Sequence, residues 1–408
     1  MFSGKNIVPQ RVGVLNFHLS LQSVLDYKEV TMRKIPCVIM RGGTSRGAVF
    51  HRSDLPSNIK EWDNIFIKTM GSPDPKQIDG LGGGVSSNNK IVVVSKSDRE
   101  GVDVEYTIGQ VLINKPEVDY KSNCGNMTSV VGPFSIDEGL VKALEPITKV
   151  VMYNTNTGKI IEALVPVENG RFKTEGDCKI AGVLGTSSEI KLSFINPGGA
   201  VTGRLLPTNK PKDILDIPQF GNIEATIIDA SNPLVIIRAE DINLKGFEKP
   251  DDINSNEEVL DLLEKTRGIA AEKICMVENW RKARDLTPAI PKIAFVTSPI
   301  AYDSLTGEVV SANDMDICAR VISLNKLHKA YPITAAIATG VAARIKGSII
   351  SDLIYKDKTS NRISIGHPSG IITVDSTLTE KNKEIYVEES TVIRTARRIM
   401  DGYIYIQD

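Results

Sequence analysis

The chain has 408 residues, more than one ordinary core accommodates, so two or three domains are expected. Its formal net charge of −1, with 24% charged and 5% aromatic residues, gives no long-range attraction to nucleic acid or an anionic membrane and no surface for stacking bases. The five cysteines (Cys37, Cys124, Cys178, Cys275, Cys318) form no C-x-x-C pair and the four histidines (His18, His51, His328, His367) are equally dispersed, which argues against a disulfide framework or a sequence-local metal motif and fits a cytoplasmic protein.

Residues 1–31 read as an N-terminal extension. VGVLNFHLSL is interrupted by Asn16, His18 and Ser20 and lacks a small-residue cleavage motif, and Met32-Arg33-Lys34-Ile35 looks like a second start just before a strand. KIPCVIM (34–40) and AVFHR (48–52) are strands around a glycine-rich turn. KIVVVSKS (90–97) has the continuous apolar run of a buried strand, and VDVEYTI (102–108) alternates like a half-exposed one. A buried helix is predicted to begin near Asn126, with Met127, Val130, Val131 and Phe134 on one face; Gly132-Pro133 should bend or end it. KVVMYNTN and KIIEALVPV are two further strands, the second stopping at the hairpin signal Asn169-Gly170.

The second half follows the same logic. ATIIDA (225–230), PLVIIRAEDI (233–242) and KIAFVTS (292–298) are strands. Between them Ser255 and Glu258 form a capping box for EEVLDLLEKTR, with a further helical run to about Leu286. Residues 330–345, AYPITAAIATGVAARI, have almost no polar face and should form a helix buried all round, with Pro332 at its start. RISIGHPSGIITVDS (362–376) is a hairpin and GYIYIQ (402–407) a closing strand. Each half thus has many strands and one buried helix, a pseudo-repeat of two α+β units, with a boundary around 203–215.

Four turns dense in Gly, Ser, Thr and Asn stand out: RGGTSRG (41–47), DGLGGGVSSNNK (79–90), NCGNMTS (123–129) and GHPSG (366–370). Their backbone N–H groups, with a following helix start, suit carboxylates or phosphates. A nucleotide loop is disfavoured: Lys90 is followed by Ile91 rather than Ser or Thr, and GLGGGV (80–85) leads to a strand instead of a helix. Lys90 opens its strand behind Ser86, Ser87, Asn88 and Asn89; it reads either as a desolvated base or as a solvated strand-end lysine. Cys124 lacks any partner at metal-ligand spacing, and three readings stay open: a nucleophile with a distant base, an acid/base thiol at a helix start, or a small buried residue. His367 and His328 read first as structural histidines.

MRGGTSRG, GSPDPKQIDGLGGGVSSNNK, DVEYTIGQV and NCGNMTSVVGPF resemble the PrpF-type isomerases, and NTNTGK, GDCKI, KLHKAY, GHPSG and IRTARRIMDGY extend the likeness from Met32 to the C-terminus. The resemblance implies a diaminopimelate epimerase-like fold: two pseudo-repeat domains, 32–203 and 204–385, each a curved sheet wrapped around a central helix, with 386–408 returning to the first. It implies a cofactor-independent 1,3-proton shift on an unsaturated di- or tricarboxylate, of the 3-methylitaconate to dimethylmaleate type. Alternatives are 2-methylaconitate or aconitate as substrate, an amino-acid epimerase, or a carboxylate-binding protein without catalysis. The family's base falls on Lys90, although Asn89 stands where a Thr or Ser usually precedes that lysine, and its cysteine falls on Cys124. The second-half turn HKAYPIT has no cysteine, which disfavours a two-thiol mechanism. On this reading the backbone N–H groups of Asn126 and Met127, the facing helix start at Ile333 and Thr334, the hydroxyls of Thr44, Ser45, Ser86 and Ser87, and the turn residues His367 and Ser369 hold the substrate. No metal, nucleic acid or membrane is implied, and a homo-oligomer is a family expectation.

Overall fold

A computed structural model describes residues 32–121, 123–354, 360–381 and 384–407; the expected extension over 1–31 lies outside them. The first half contains β1 (Met32–Gly42), β2 (Ser45–His51), α1 (Trp62–Met70), β3 (Lys90–Lys96), β4 (Val104–Val111), α2 (Gly125–Asp137), β5 (Ile147–Asn154), β6 (Lys159–Glu168) and β7 (Ile190–Ile195). The second contains β8 (Asp213–Ile217), β9 (Gly221–Ala230), β10 (Asn232–Arg238), α3 (Glu257–Lys273), β11 (Lys292–Thr297), β12 (Ile317–Ser323) and α4 (Ile333–Ala343), then β13 (Arg362–His367), β14 (Gly370–Lys381), β15 (Glu384–Arg394) and β16 (Ala396–Gln407).

The strand pairings recur. From β1 to β7, leaving out no strand named above, neighbours pair antiparallel, parallel, antiparallel, parallel, antiparallel, antiparallel. From β9 to β15 the same order of directions returns. In the first series β16 lies against β1, and in the second β8 lies against β9. Antiparallel pairing of β7 with β15 joins the two series into one mixed, strand-dominated ladder. A buried helix follows the fourth strand of each series, α2 after β4 and α4 after β12.

Burial explains why these two segments are helices. Every residue of α4 is buried, and only Asp137 of α2 is not. Such helices lack an amphipathic stripe because sheet surrounds them on all sides. Met127, Val130, Val131 and Phe134 join Ile333, Ile337 and Val341 in one buried cluster that runs through both halves. The helix does not end at Gly132-Pro133; α2 continues to Asp137. Packing overrides the lost hydrogen bond here: a Cβ at Gly132 would stand 2.7 Å from Val165, so glycine lets β6 lie against the helix and hold it.

The capping box expected at Ser255 and Glu258 is also corrected. Asn256 is the cap, accepting from the Val259 N–H at 3.1 Å, while Ser255 bonds back to the Asp251 carbonyl at 2.8 Å and closes the preceding short helix. The helical run to Leu286 is interrupted, since α3 ends at Lys273 and a separate short turn covers Ala283–Leu286. The sequence reading did not mark α1, β7, β8, β12 or β15. Among the described residues, no helix is long and apolar enough to cross a membrane.

Candidate active site

The site begins where two helices meet end to end. The residue before α2 is Cys124 and the residue before α4 is Pro332, both with extended backbone, and neither side chain caps the first turn. First-turn N–H groups are left without a side-chain acceptor, and each helix adds partial positive charge at that end. The starts abut: a Cβ built on Gly125 would lie 2.5 Å from Ile333 Cβ and 2.7 Å from its Cγ2. Only glycine permits this approach.

A cleft opens at this junction. Of the residues singled out in the sequence, it brings together Lys90, Cys124, Ser45, Ser86, Ser87, Asn126, Ile333 and Thr334. Thr44 and His367 line a second cavity on the far side of Asn126. Ser369 lines neither; its hydroxyl donates to the Lys329 carbonyl at 2.5 Å. The Met127 side chain is in the core, so only its backbone can serve a ligand.

Lys90 is the first residue of β3, and its Nζ donates to Gln110 Oε1 on the neighbouring strand β4, its register partner. Gln110 is fixed for this task, because its amide nitrogen donates to the carbonyls of Asn89 and Val111, each at 3.1 Å, which turns the oxygen toward the lysine. Asn89 therefore acts here through its backbone. Gly47 is required opposite Lys90, since a Cβ there would lie 2.2 Å from the Lys90 carbonyl oxygen.

Asn126 forms the wall between the two cavities. Its Nδ2 donates to Thr44 Oγ1 at 3.0 Å and its Oδ1 accepts from Arg394 Nε at 3.3 Å. Arg394 is 7% exposed, and no ion pair to it is found among the described residues. Burial lowers its guanidinium pKa to about 10, which is a cation held without a counter-charge.

Three residues of the cleft escaped the sequence reading or were given lesser parts. Gln110 is one. Lys292, the first residue of β11, is 9% exposed and donates to the Ala289 carbonyl at 2.9 Å. Burial first, and then the charge of Lys90, bring its pKa down to about 8, against the opposing pull of Cys124 and Asp119. The clue in the sequence was a lysine opening KIAFVTS just as Lys90 opens KIVVVSKS. His328 is the third: its Nδ1 accepts from the Ala330 N–H at 3.0 Å, and burial pushes its pKa to about 4, so the neutral ring keeps a proton on Nε2. His367 is built alike, with Nδ1 accepting from the Ser369 N–H at 3.2 Å and burial holding its pKa well below the usual value. Among the described residues, no group of three or more His, Cys, Asp or Glu side chains could hold a metal ion.

The PrpF protein family model matches residues 32–407. The chain is 44% identical over 375 residues to a 3-methylitaconate isomerase of Eubacterium barkeri, covering 92% of this chain and 97% of that protein. The crystal structure of a methylitaconate-delta-isomerase superimposes with a TM-score of 0.75 at 42% identity, covering 92% and 96% of the two chains. A hydroxyproline epimerase from Agrobacterium vitis shares the fold with a TM-score of 0.55 at 12% identity, over 92% of this chain and 94% of that one.

Proposed function

The chain belongs to the PrpF family and is an isomerase, and from this premise we propose that it moves a double bond in a small unsaturated dicarboxylate, converting 3-methylitaconate to dimethylmaleate. The observation that carries this reading is the junction of two uncapped helix starts with Lys90 in the same cleft.

The reaction removes a proton from the carbon α to one carboxylate and delivers one to the far end of the allylic unit. The intermediate is a dienolate, which adds negative charge to a group already carrying a carboxylate. Such charge needs fixed positive potential in a site of low dielectric. The first-turn N–H groups of α2 and α4 and the His328 Nε2–H supply it. Donors of this kind are each worth about 2.7–4 kcal/mol in comparable sites. The facing helix start at Ile333 and Thr334, in the same cleft, holds the second carboxylate, and Arg394, across Asn126, positions Asn126. Lys90 is the base that takes the α-proton, positioned by Gln110. Cys124, at the helix start in the same cleft, assists as an auxiliary acid/base group or shapes the turn. A proton shift leaves the oxidation state of the carbon skeleton unchanged, so this reading invokes no cofactor.

The recurring pairings support two pseudo-repeat units of diaminopimelate epimerase-like type, 32–203 and 204–385, each wrapped around its helix, with 386–408 returning to the first; within that return Ala396–Gln407 pair with β1. The proposed substrate lies between them.

Incubation in D2O with 3-methylitaconate, 2-methylaconitate, aconitates and amino acids, followed by proton NMR, tests the function. Double-bond migration with deuterium at the new methyl carbon is expected for methylitaconate. Deuterium at an amino-acid stereocentre without migration would make the chain an epimerase, and no exchange with any compound would contradict catalysis.

A further inference from the structure

The cleft contains a second lysine in the place equivalent to the first. Lys90 opens β3, which pairs parallel with β2 and antiparallel with β4; Lys292 opens β11, which pairs parallel with β10 and antiparallel with β12. Gln110 stands opposite Lys90. Ile293 pairs with Ile322, so continuation of the register brings Ser323 opposite Lys292. Both lysines and both facing residues line the cleft, together with both helix starts. The recurrence extends from the strand order to the two amines.

We infer that Lys292 is a second catalytic acid/base, serving the opposite end of the allylic unit from Lys90. The inference rests on the isomerase reading above. In the forward direction Lys90 Nζ takes the proton from the α-carbon. That C–H electron pair becomes the new double bond. The former methylene π pair takes a proton from Lys292 Nζ and becomes a methyl C–H bond. Lys90 ends as an ammonium and Lys292 as an amine, and both are reset by exchange with water. The reverse direction uses the same two groups in exchanged parts.

Other second-half groups fit this task poorly. His328, with Nδ1 engaged and a pKa near 4, stays neutral and gives up its Nε2 proton only with difficulty. Pro332, at the position matching Cys124, has no proton to give. Lys292 has no carboxylate hydrogen-bonded to it among the described residues, and the charges that act on it are Lys90, Cys124, Asp119 and Arg267. Its pKa near 8 leaves it mainly an ammonium at neutral pH and a stronger acid than an ordinary lysine.

Exchange measurements on two variants, Lys292→Gln and Lys292→Met, separate the half-reactions. With 3-methylitaconate in D2O each should lose about 10²- to 10⁴-fold in conversion while still exchanging the α-proton, because Lys90 can remove and return it. Conversion within about tenfold of wild type, or loss of exchange together with conversion in folded protein, would overturn the inference. The wild-type enzyme supplies a test independent of any variant. Its first-turnover dimethylmaleate should carry solvent deuterium in the new methyl group; protium carried over from the α-carbon would show one base serving both ends. A wild type that neither exchanges nor isomerises would instead count against the isomerase reading.

Discussion

Substituting alanine for Gly125 probes the junction on which the site is built. The added methyl would sit 2.5 Å from Ile333 Cβ and 2.7 Å from Cγ2, where carbon atoms normally keep about 3.5–4.0 Å. Neither neighbour is the free end of a flexible chain, so the two helix starts must part by about 1 Å. Overpacking of this kind costs about 1–3 kcal/mol, and up to about 1 kcal/mol returns from replacing a helical glycine. With an unfolding entropy of about 2.1 cal/mol/K per residue, the melting temperature should fall by no more than about 3 °C. Activity should suffer far more, since a displacement of about 1 Å between reacting groups costs about 10²-fold. Thermal unfolding and steady-state isomerisation of G125A, measured side by side, give both numbers. A folded G125A enzyme turning over within about threefold of wild type would refute the claim that the abutting helix starts form the reaction site.

Arg394 acts through Asn126, whose Oδ1 it holds: Arg394→Gln is expected to raise KM by up to about 10-fold, and an unchanged KM would show that Asn126 keeps its place without the guanidinium. In Cys124→Ser, measurable turnover is expected to persist; complete loss with intact folding would make the thiol essential. The forward kcat/KM should fall as pH rises through about 8, because Lys292 is the protonated acid below that value and an amine above it. K292Q should lose that limb of the pH profile, and a wild-type profile flat from pH 7 to 9 would count against it.

The parts of the fold that were legible in sequence are those whose period is set by burial. KIVVVSKS and the alanine-rich 333–343 segment can only be a buried strand and a buried helix, and both are. Pro133 misleads because its cost is local, whereas the close approach of Val165 at Gly132 is set by a strand distant in sequence. Ser255 and Asn256 are both residue types that suit the cap position, and only the backbone geometry decides between them. In the cleft, Lys90 and Cys124 announced themselves through turns dense in small polar residues. Lys292 and Arg394 lie in ordinary strand sequence after Pro291 and Ile393; only the opening position of Lys292 hinted at its place, and what distinguishes both is burial without a hydrogen-bonded carboxylate, a property of the folded chain. His367 and Thr44, expected to hold the substrate, line a cavity separated from Lys90 by Asn126.

The central claim is that Lys90 removes the proton, and the Lys90→Ala enzyme tests it most directly. With 3-methylitaconate in D2O, proton NMR should show neither dimethylmaleate nor exchange of the α-proton, while calorimetric titration still shows substrate binding. Dimethylmaleate formed at the wild-type rate would contradict the account.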